Sequence, residues 1–517
     1  METFLSIHQD SIVGTLTTFD RMIFKGHLTM FYPNGAFGRF LNRQGVLLKD
    51  FKPYVETVSQ QIKQHVEQLA NEAGRPFRYL ESAMTAKNGQ SKEGLAQQIA
   101  RADNVTEGLI GVFSTLEPCA TFTVRGNHAS HKLEVARRRS KCLHYYFYYL
   151  DAELGFMHVR LQSWFPYQIQ VYVNGRECLA RYLEQQGIAY DRYDNTFTRI
   201  DNLEAAQAFC EKFSHFEWPP VLNALANRVN PILKTIQSAG FGGYYWVADQ
   251  CEIATDIMFK DRASLEAILP DLFEHAIIKT TCENVLRFLG RKLHGNFRGD
   301  VTTDLKKRSE GWRVKHTIRG NSLKMYDKSS VLRVETTINN PSEFKICQLT
   351  EAGKLRWVPM RKGVSNLYRY AEVGLQANQR YLDHLTQAKL KSKAIPFLDD
   401  LCRSLTKNGK RFARFNPLQD VDRRLFAAVV SGEFVLNGFR NHDLCTKLYP
   451  EPAASDKEGK QRCTRVSRLI AKLRAHGLIA KVKDARLYRI TKLGSQILFA
   501  VLSFYKTDFP TAFQAVS

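Results

Sequence analysis

Hydrophobic and polar positions alternate most cleanly between residues 313 and 338, RVKHTIRGNSLKMYDKSSVLRVETTI. Successive side chains of a strand point to opposite faces. The stretch therefore predicts three short strands with Val314, Ile318, Leu323, Met325, Leu332, Val334 and Ile338 on one apolar face. The other face collects Arg313, Lys315, Lys324, Tyr326, Lys328, Arg333 and Glu335, with Gly320-Asn321 and Ser329-Ser330 as turns. Elsewhere the period lengthens: Tyr54, Val55, Val58, Ile62, Val66 and Leu69 recur at three- and four-residue steps and predict a helix over 51–73.

The rest of the pattern predicts a chain of strands and helices. Residues 11–30 read as one or two strands interrupted near Asp20-Arg21. A strand over 76–80, a helix over 93–102 and an apolar strand over 109–113 follow. A basic loop then carries Arg137, Arg138 and Arg139, with His128-x-x-His131 lacking any nearby acidic or cysteine partner. Residues 142–173 are aromatic strands that place Tyr146, Tyr148, Arg160 and Gln162 together, either as a base-stacking platform or as a face packed by helices. Helices over 176–186, 203–213, 221–238 and 365–385 complete the pattern, and Trp218-Pro219-Pro220 reads as a boundary. Strands alternating with helices imply an α/β (α+β) multidomain chain with mixed and antiparallel sheets. The expected division is an N-terminal domain over 1–216, a middle domain over 217–386, a basic helical connector over 387–416 and a winged-helix domain over 417–517.

Read as a helix, YYWVADQCEIATDIMFKD puts Asp249, Glu252 and Asp256 at i, i+3 and i+7, three carboxylates on one face. Such a stack needs either cations from elsewhere in the chain or a bound Mg²⁺ or Mn²⁺. Just before the alternating stretch, Arg291, Lys292 and Arg298 flank a glycine-containing loop suited to phosphate. Asp249, Glu252, Asp256 and Glu335 are thus candidate metal ligands, with Tyr326 a candidate nucleophile supported by Lys324 and Arg333. The competing reading of the polar face is a solvated sheet surface with cross-strand ion pairs.

Charge narrows the partners. With 74 Lys and Arg against 51 Asp and Glu, the net charge of +23 favours a polyanion, and nucleic acid is the expected one. No apolar run approaches the ~18 residues of a membrane span, so no membrane partner is expected. No secretory leader is visible, so the cytoplasm is the expected location. The ten cysteines include no C-x-x-C pair, so reduced, mostly buried thiols are expected and a zinc site is not.

Three resemblances add context. The segment KLRAHGLIAKVKDARLYRITKLG resembles the L-x-x-x-G-L-I … Y-x-I-T-x-x-G signature of MarR-like winged-helix regulators. The pattern itself predicts a helix over 457–476 with Cys463, Val466, Leu469, Ile470 and Leu473 inward and Lys460, Gln461, Arg465 and Arg468 facing a groove, then a hairpin over 478–491 with Arg486 at the wing tip, the layout of a winged helix. The strings KMYDK and VLRVETTI are similar to the Tyr-Asp/Asn-Lys … Arg-x-Glu pattern of rolling-circle replication initiators of the trans-acting plasmid and filamentous-phage kinds. It would imply a tyrosine nucleophile, a metal and a nicking–joining reaction. The strings KCLHYYFYYLD, DQCEIATDIMF and NSLKMYDK resemble large bacterial proteins of mobile-element type. The sequence therefore leads to two expectations: a nucleic-acid-binding endonuclease or strand-transferase using Mg²⁺ or Mn²⁺, or a non-enzymatic DNA-binding regulator or component of a ribonucleoprotein with a structured RNA.

Overall fold

A computed structural model of the chain describes all residues except 32–34, 82–90, 292–300, 309–310, 350–352, 354, 387–396, 483–484 and 509–517. Mixed α/β content is distributed over two compact units, Met1–Thr386 and Gln387–Ser517. The expected boundary near Trp218 does not divide the first unit. One sheet of eleven strands runs through it, and Trp218 opens a buried helix, Trp218–Val229, whose two prolines occupy the first turn where no N–H is needed.

The strands are β1 (Ile12–Leu28), β2 (Phe77–Tyr79), β3 (Gly108–Asn127), β4 (Lys132–Asp151), β5 (Gly155–Gln162), β6 (Ile169–Asn174), β7 (Tyr190–Tyr193), β8 (Thr196–Ile200), β9 (Tyr244–Phe259), β10 (Thr302–Arg308), β11 (Gly311–Ile318), β12 (Asn321–Lys328) and β13 (Val331–Ile338). The order in the large sheet is β10-β11-β12-β13-β9-β1-β6-β5-β4-β3-β2, while β7 and β8 form a separate hairpin. A twofold repetition is built into that order. A long strand (β1 or β9) is followed by helices and then by a four-stranded antiparallel meander (β3–β6 or β10–β13). The last strand of each meander pairs back onto its long strand, and β1 and β9 pair antiparallel at the centre.

The two faces of the sheet differ. Met22, Phe24, Val112, Tyr145, Phe147, Val159 and Val171 lie in the main core, packed with helices Phe51–Glu72, Trp218–Val229 and Leu367–Leu385. The opposite face is only partly covered. Helix Lys92–Ala102 packs on β3 to β5 through Ala96 and Ile99 against Tyr146, Tyr148 and Phe156. Helix Gly175–Gln185 and the β7–β8 hairpin cover Leu16, Met258 and Val331. Between these two covers lies a polar cleft.

The predicted faces of the alternating stretch hold. Val314 pairs with Met325, Lys315 with Lys324, Lys324 with Glu335 and Tyr326 with Arg333. Its turns close one residue earlier than predicted at the first site, on Arg319 and Gly320, both with positive φ. Residues 244–259 are a strand, so the helical stacking of Asp249, Glu252 and Asp256 is overturned: β-pairing on both sides by β1 and β13 decides the conformation. The basic loop is the outer half of a long hairpin, β3–β4, with Arg137, Arg138 and Arg139 exposed on it. The predicted helix 221–238 is broken at Asn230-Pro231.

In the second unit, helices Asp420–Val429, Asn441–Leu448 and Asp456–Ala475 and a hairpin of Ile479–Lys481 with Tyr488–Ile490 enclose a core of Leu425, Phe426, Leu444, Val466, Ile470, Leu473 and Leu498. The basic connector is not helical throughout: Leu405–Lys407 and Lys410–Phe412 form a hairpin, and its first ten residues lie outside the described set.

Candidate functional site

The cleft, about 880 Å³, is floored by β1, β6, β9, β12 and β13 and walled by Ser91, Glu93 and Gly94 on one side and Arg192, Asp194 and Asn195 on the other. On the floor, Lys324 donates to Glu335 Oε1 at 2.6 Å and to Glu252 Oε1 at 2.9 Å. Arg21 adds a longer contact to Glu252 at 3.8 Å. One ammonium thus serves two carboxylates, and Glu335 has no second cation among the described ion pairs. Burial pushes the Glu335 carboxyl up to about 7, with Glu252 and Asp20 adding to the rise against Lys324. Lys324 itself stays cationic: burial opposes its charge, but Glu335 and Glu252 outweigh it. Tyr326, on the same strand face, is half-buried, and burial with the neighbouring carboxylates raises its phenol above the ordinary value. At neutral pH it is a phenol that needs a base, and Glu335 is the adjacent group poised to titrate there.

Beside this trio lies a neutral ion quartet. Asp256 accepts from Arg333 Nε at 2.7 Å and Arg176 at 2.6 Å, and Arg333 also reaches Asp20 at 3.0 Å. Arg333 further donates to the Asn195 carbonyl and Thr196 Oγ1, both at 2.7 Å, which ties the β7–β8 hairpin to the sheet. Burial raises the cost of both aspartates, yet the two arginines hold them below the usual carboxylate range. Asp256 and Arg333, expected as metal ligand and catalytic group, are instead a structural clamp.

The other sequence-predicted residues separate accordingly. Asp249 lies in a different depression, paired with Lys25 at 3.7 Å and Lys362 at 3.6 Å, so it is not part of a carboxylate set with Glu335. Arg313 lines the cleft, bonded to Asp304, with a buried Nε lacking a partner among the described residues. Lys328 pairs with Asp194 at 3.1 Å. Lys315 is half-buried opposite Lys324, and burial plus those neighbouring cations lowers its pKa. Arg291 is closed by Glu343, and Lys292 and Arg298 lie outside the described residues. The platform residues Tyr146 and Tyr148 are buried under helix Lys92–Ala102, so they offer no stacking surface. In the second unit, Lys460, Gln461, Arg465 and Arg468 share a shallow surface with Tyr449 and Lys457, and Arg486 is exposed. Cys463, expected inward, is exposed.

Sequence reasoning missed Arg21, Tyr172, Glu177, Arg192, Asp194 and Asn195, which arrive from segments remote from the alternating stretch. The legible signal was the interruption at Asp20-Arg21: it is a register irregularity in β1 that brings both residues to the cleft.

As for a hard divalent cation, only Glu252 and Glu335 remain available on the floor. Two carboxylates suit an ion that keeps waters and takes further oxygens from a phosphate, with Lys324 displaced from between them. Among the described residues no three acidic ligand atoms converge; the one convergent group of three is Cys119, Cys142 and His144. Among the described residues no helix is long and apolar enough to cross a membrane. The chain matches no family model, no curated protein and no solved structure.

Proposed function

We propose that the cleft handles a nucleic-acid phosphodiester, with Tyr326 as nucleophile and Glu335 as its general base. The carrying observation is the arrangement of one ammonium between two buried carboxylates beneath a tyrosine, at the bottom of a cleft that also holds Arg21, Arg308 and Arg313. In the proposed step the Tyr326 oxygen bonds to phosphorus and one P–O ester bond breaks. The phenolic proton passes to Glu335, and the departing sugar oxygen takes up a proton, leaving a phosphotyrosine and a free hydroxyl. Cations of the cleft hold the non-bridging oxygens. Where a Mg²⁺ or Mn²⁺ is held by Glu252 and Glu335, it would supply Lewis-acid stabilisation of the phosphoryl charge, and Glu335 would then act as a ligand rather than as the base. The exposed Arg137–Arg139 run and the Lys460–Arg468 surface supply sequence-independent backbone contacts.

The test is incubation of purified protein with end-labelled single- and double-stranded DNA and RNA, with Mg²⁺ or Mn²⁺. A covalent protein–nucleic acid adduct that disappears in Tyr326→Phe, and cleavage lost in Glu335→Ala, are the expected results. No cleavage on any substrate, or cleavage unchanged by Glu335→Ala, sinks the reading. The non-enzymatic alternative, a regulator or ribonucleoprotein component, draws support from the closure of Asp249 and Asp256 by cations. It predicts binding without an adduct, and a structured RNA co-purifying with the chain.

A further inference from the structure

A second cluster of reactive side chains lies on the same face of the sheet, at the base of the long β3–β4 hairpin. Cys119 on β3 and Cys142 on β4 sit diagonally across the ladder, because Cys119 pairs with Ser140 and Cys142 with Glu117. Their sulfurs are 2.9 Å apart and both thiols are free. His144 follows Cys142 by two residues and so shares its face. The two sulfurs and an imidazole nitrogen all lie within 4.8 Å of one another.

The histidine is the independent sign of a ligand. It is 1% exposed. Its Nδ1 is 3.1 Å from the Cys142 carbonyl, which fixes the proton on that nitrogen. The other nitrogen, Nε2, is then a buried lone pair without a partner among the described residues. A buried acceptor left unmatched is unfavourable, so the lone pair calls for a partner. Backbone-oriented Nδ1–H with a free Nε2 is the arrangement in which histidine ligates a metal. Thr115, the register neighbour of His144, also keeps a buried hydroxyl without a partner.

We propose that Cys119, Cys142 and His144 bind one Zn²⁺, with the fourth position open to water or an exogenous ligand on the half-buried Cys119 side. Two thiolates and one imidazole are a donor set that zinc favours over hard cations such as Mg²⁺. Tetrahedral ligation at Zn–S ≈ 2.3 Å needs sulfurs roughly 3.8 Å apart, so a small rotation of the Cys119 side chain opens the pair. Binding displaces the thiol protons to solvent and leaves the oxidation state unchanged. The ion would lock β3 to β4 where the hairpin leaves the body of the sheet: β5 pairs with β4 only from His144 onward. Beyond that point the hairpin carries Arg137, Arg138 and Arg139.

The site is tested on the full chain, purified without chelator, by elemental analysis and by replacing the metal with Co²⁺. About one zinc per chain is expected, together with a sulfur-to-cobalt charge-transfer band on Co²⁺ loading. Both should be lost in Cys119→Ser, a half-buried position where serine is well tolerated, and in His144→Gln. Cys445→Ser, in the second unit, should retain them. Trace zinc in the unsubstituted protein, no charge-transfer band, or equal zinc in Cys119→Ser overturns the proposal. So does a mass two hydrogens low under non-reducing conditions, which would identify a Cys119–Cys142 disulfide instead. None of these readouts depends on nucleic-acid cleavage.

Discussion

The two meanders of the repeated fold place the same kinds of side chain on the same face and reach opposite electrostatic outcomes. In the N-terminal one, Glu117 accepts from Tyr146 at 2.6 Å, Lys92 at 2.9 Å and Arg160 at 2.6 Å. Burial raises the cost of its charge, but these donors hold the carboxyl down at about 2. In the C-terminal one, Glu335 shares a single lysine with Glu252 and is pushed up to about 7. The difference lies in the ratio of cations to carboxylates. Two cations and a phenol around one carboxylate make a closed structural knot; Glu335 reaches only Lys324, which it shares with Glu252, while Arg21 adds its longer contact to Glu252 alone. Burial adds to the contrast: it is the largest cause of the rise at Glu335, which lies deeper than Glu117.

The largest expected effect breaks this comparison outright. Tyr326→Phe and Glu335→Gln should lower strand cleavage by ~10²–10⁴-fold, whereas Tyr146→Phe and Glu117→Gln should leave it within a small factor. Equal losses at both sites, measured on labelled oligonucleotides, would show that the contrast has no functional meaning.

Next comes the clamp beside the C-terminal site. Asp256→Ala strips the shared partner from Arg176 and Arg333 and should destabilise the first unit by ~3–5 kcal/mol, measured by urea unfolding. A change below about 1 kcal/mol would mean the quartet is relaxed by water.

The two glutamates should also be separated by pH. Between pH about 4.5 and about 7 the folded protein binds more protons at Glu335 than the unfolded chain does. Stability should therefore fall as pH rises through that window, by up to roughly 3 kcal/mol, and Glu335→Gln should flatten the fall. Glu117 acts in the other direction: its contribution is complete above about 4.5 and lost as pH drops toward about 2. A Glu335→Gln protein with an unchanged pH profile of unfolding would refute the raised carboxyl.

The smallest effect concerns surfaces remote from the comparison. Arg465→Ala and Arg468→Ala should each reduce the slope of log affinity against log salt by ~1, read by fluorescence anisotropy, and leave the cleavage step on bound substrate unchanged. An unchanged slope would exclude that helix face from phosphate contact.

Much of the local structure was legible because it is written in period. The alternation from Val314 to Ile338 specified both faces, and the three- and four-residue spacing from Tyr54 to Leu69 specified helix Phe51–Glu72. The strand β9 was misread because Asp249, Glu252 and Asp256 are spaced by three and four, which fits a helical face, and an irregularity in its pairing with β1 breaks the strand's period of two. In the structure each finds a separate partner set: Lys25 and Lys362, Lys324 and Arg21, Arg176 and Arg333. The Cys119–Cys142–His144 cluster was hidden for a related reason. Only the Cys-x-His half is local, and the third member comes from across a ladder.

By itself the sequence determined the apolar and polar faces of the elements, the identity of Tyr326, Lys324 and Glu335 as neighbours, and the excess of positive charge. Those properties are set by neighbours within a few residues. Only the tertiary structure decided which carboxylates are neutralised and which are left short of a cation, because protonation depends on burial and on charges brought in from β1, β7–β8 and distant helices. The same alternating strands thus hold a carboxyl down at about 2 in one meander and let one rise to about 7 in the other.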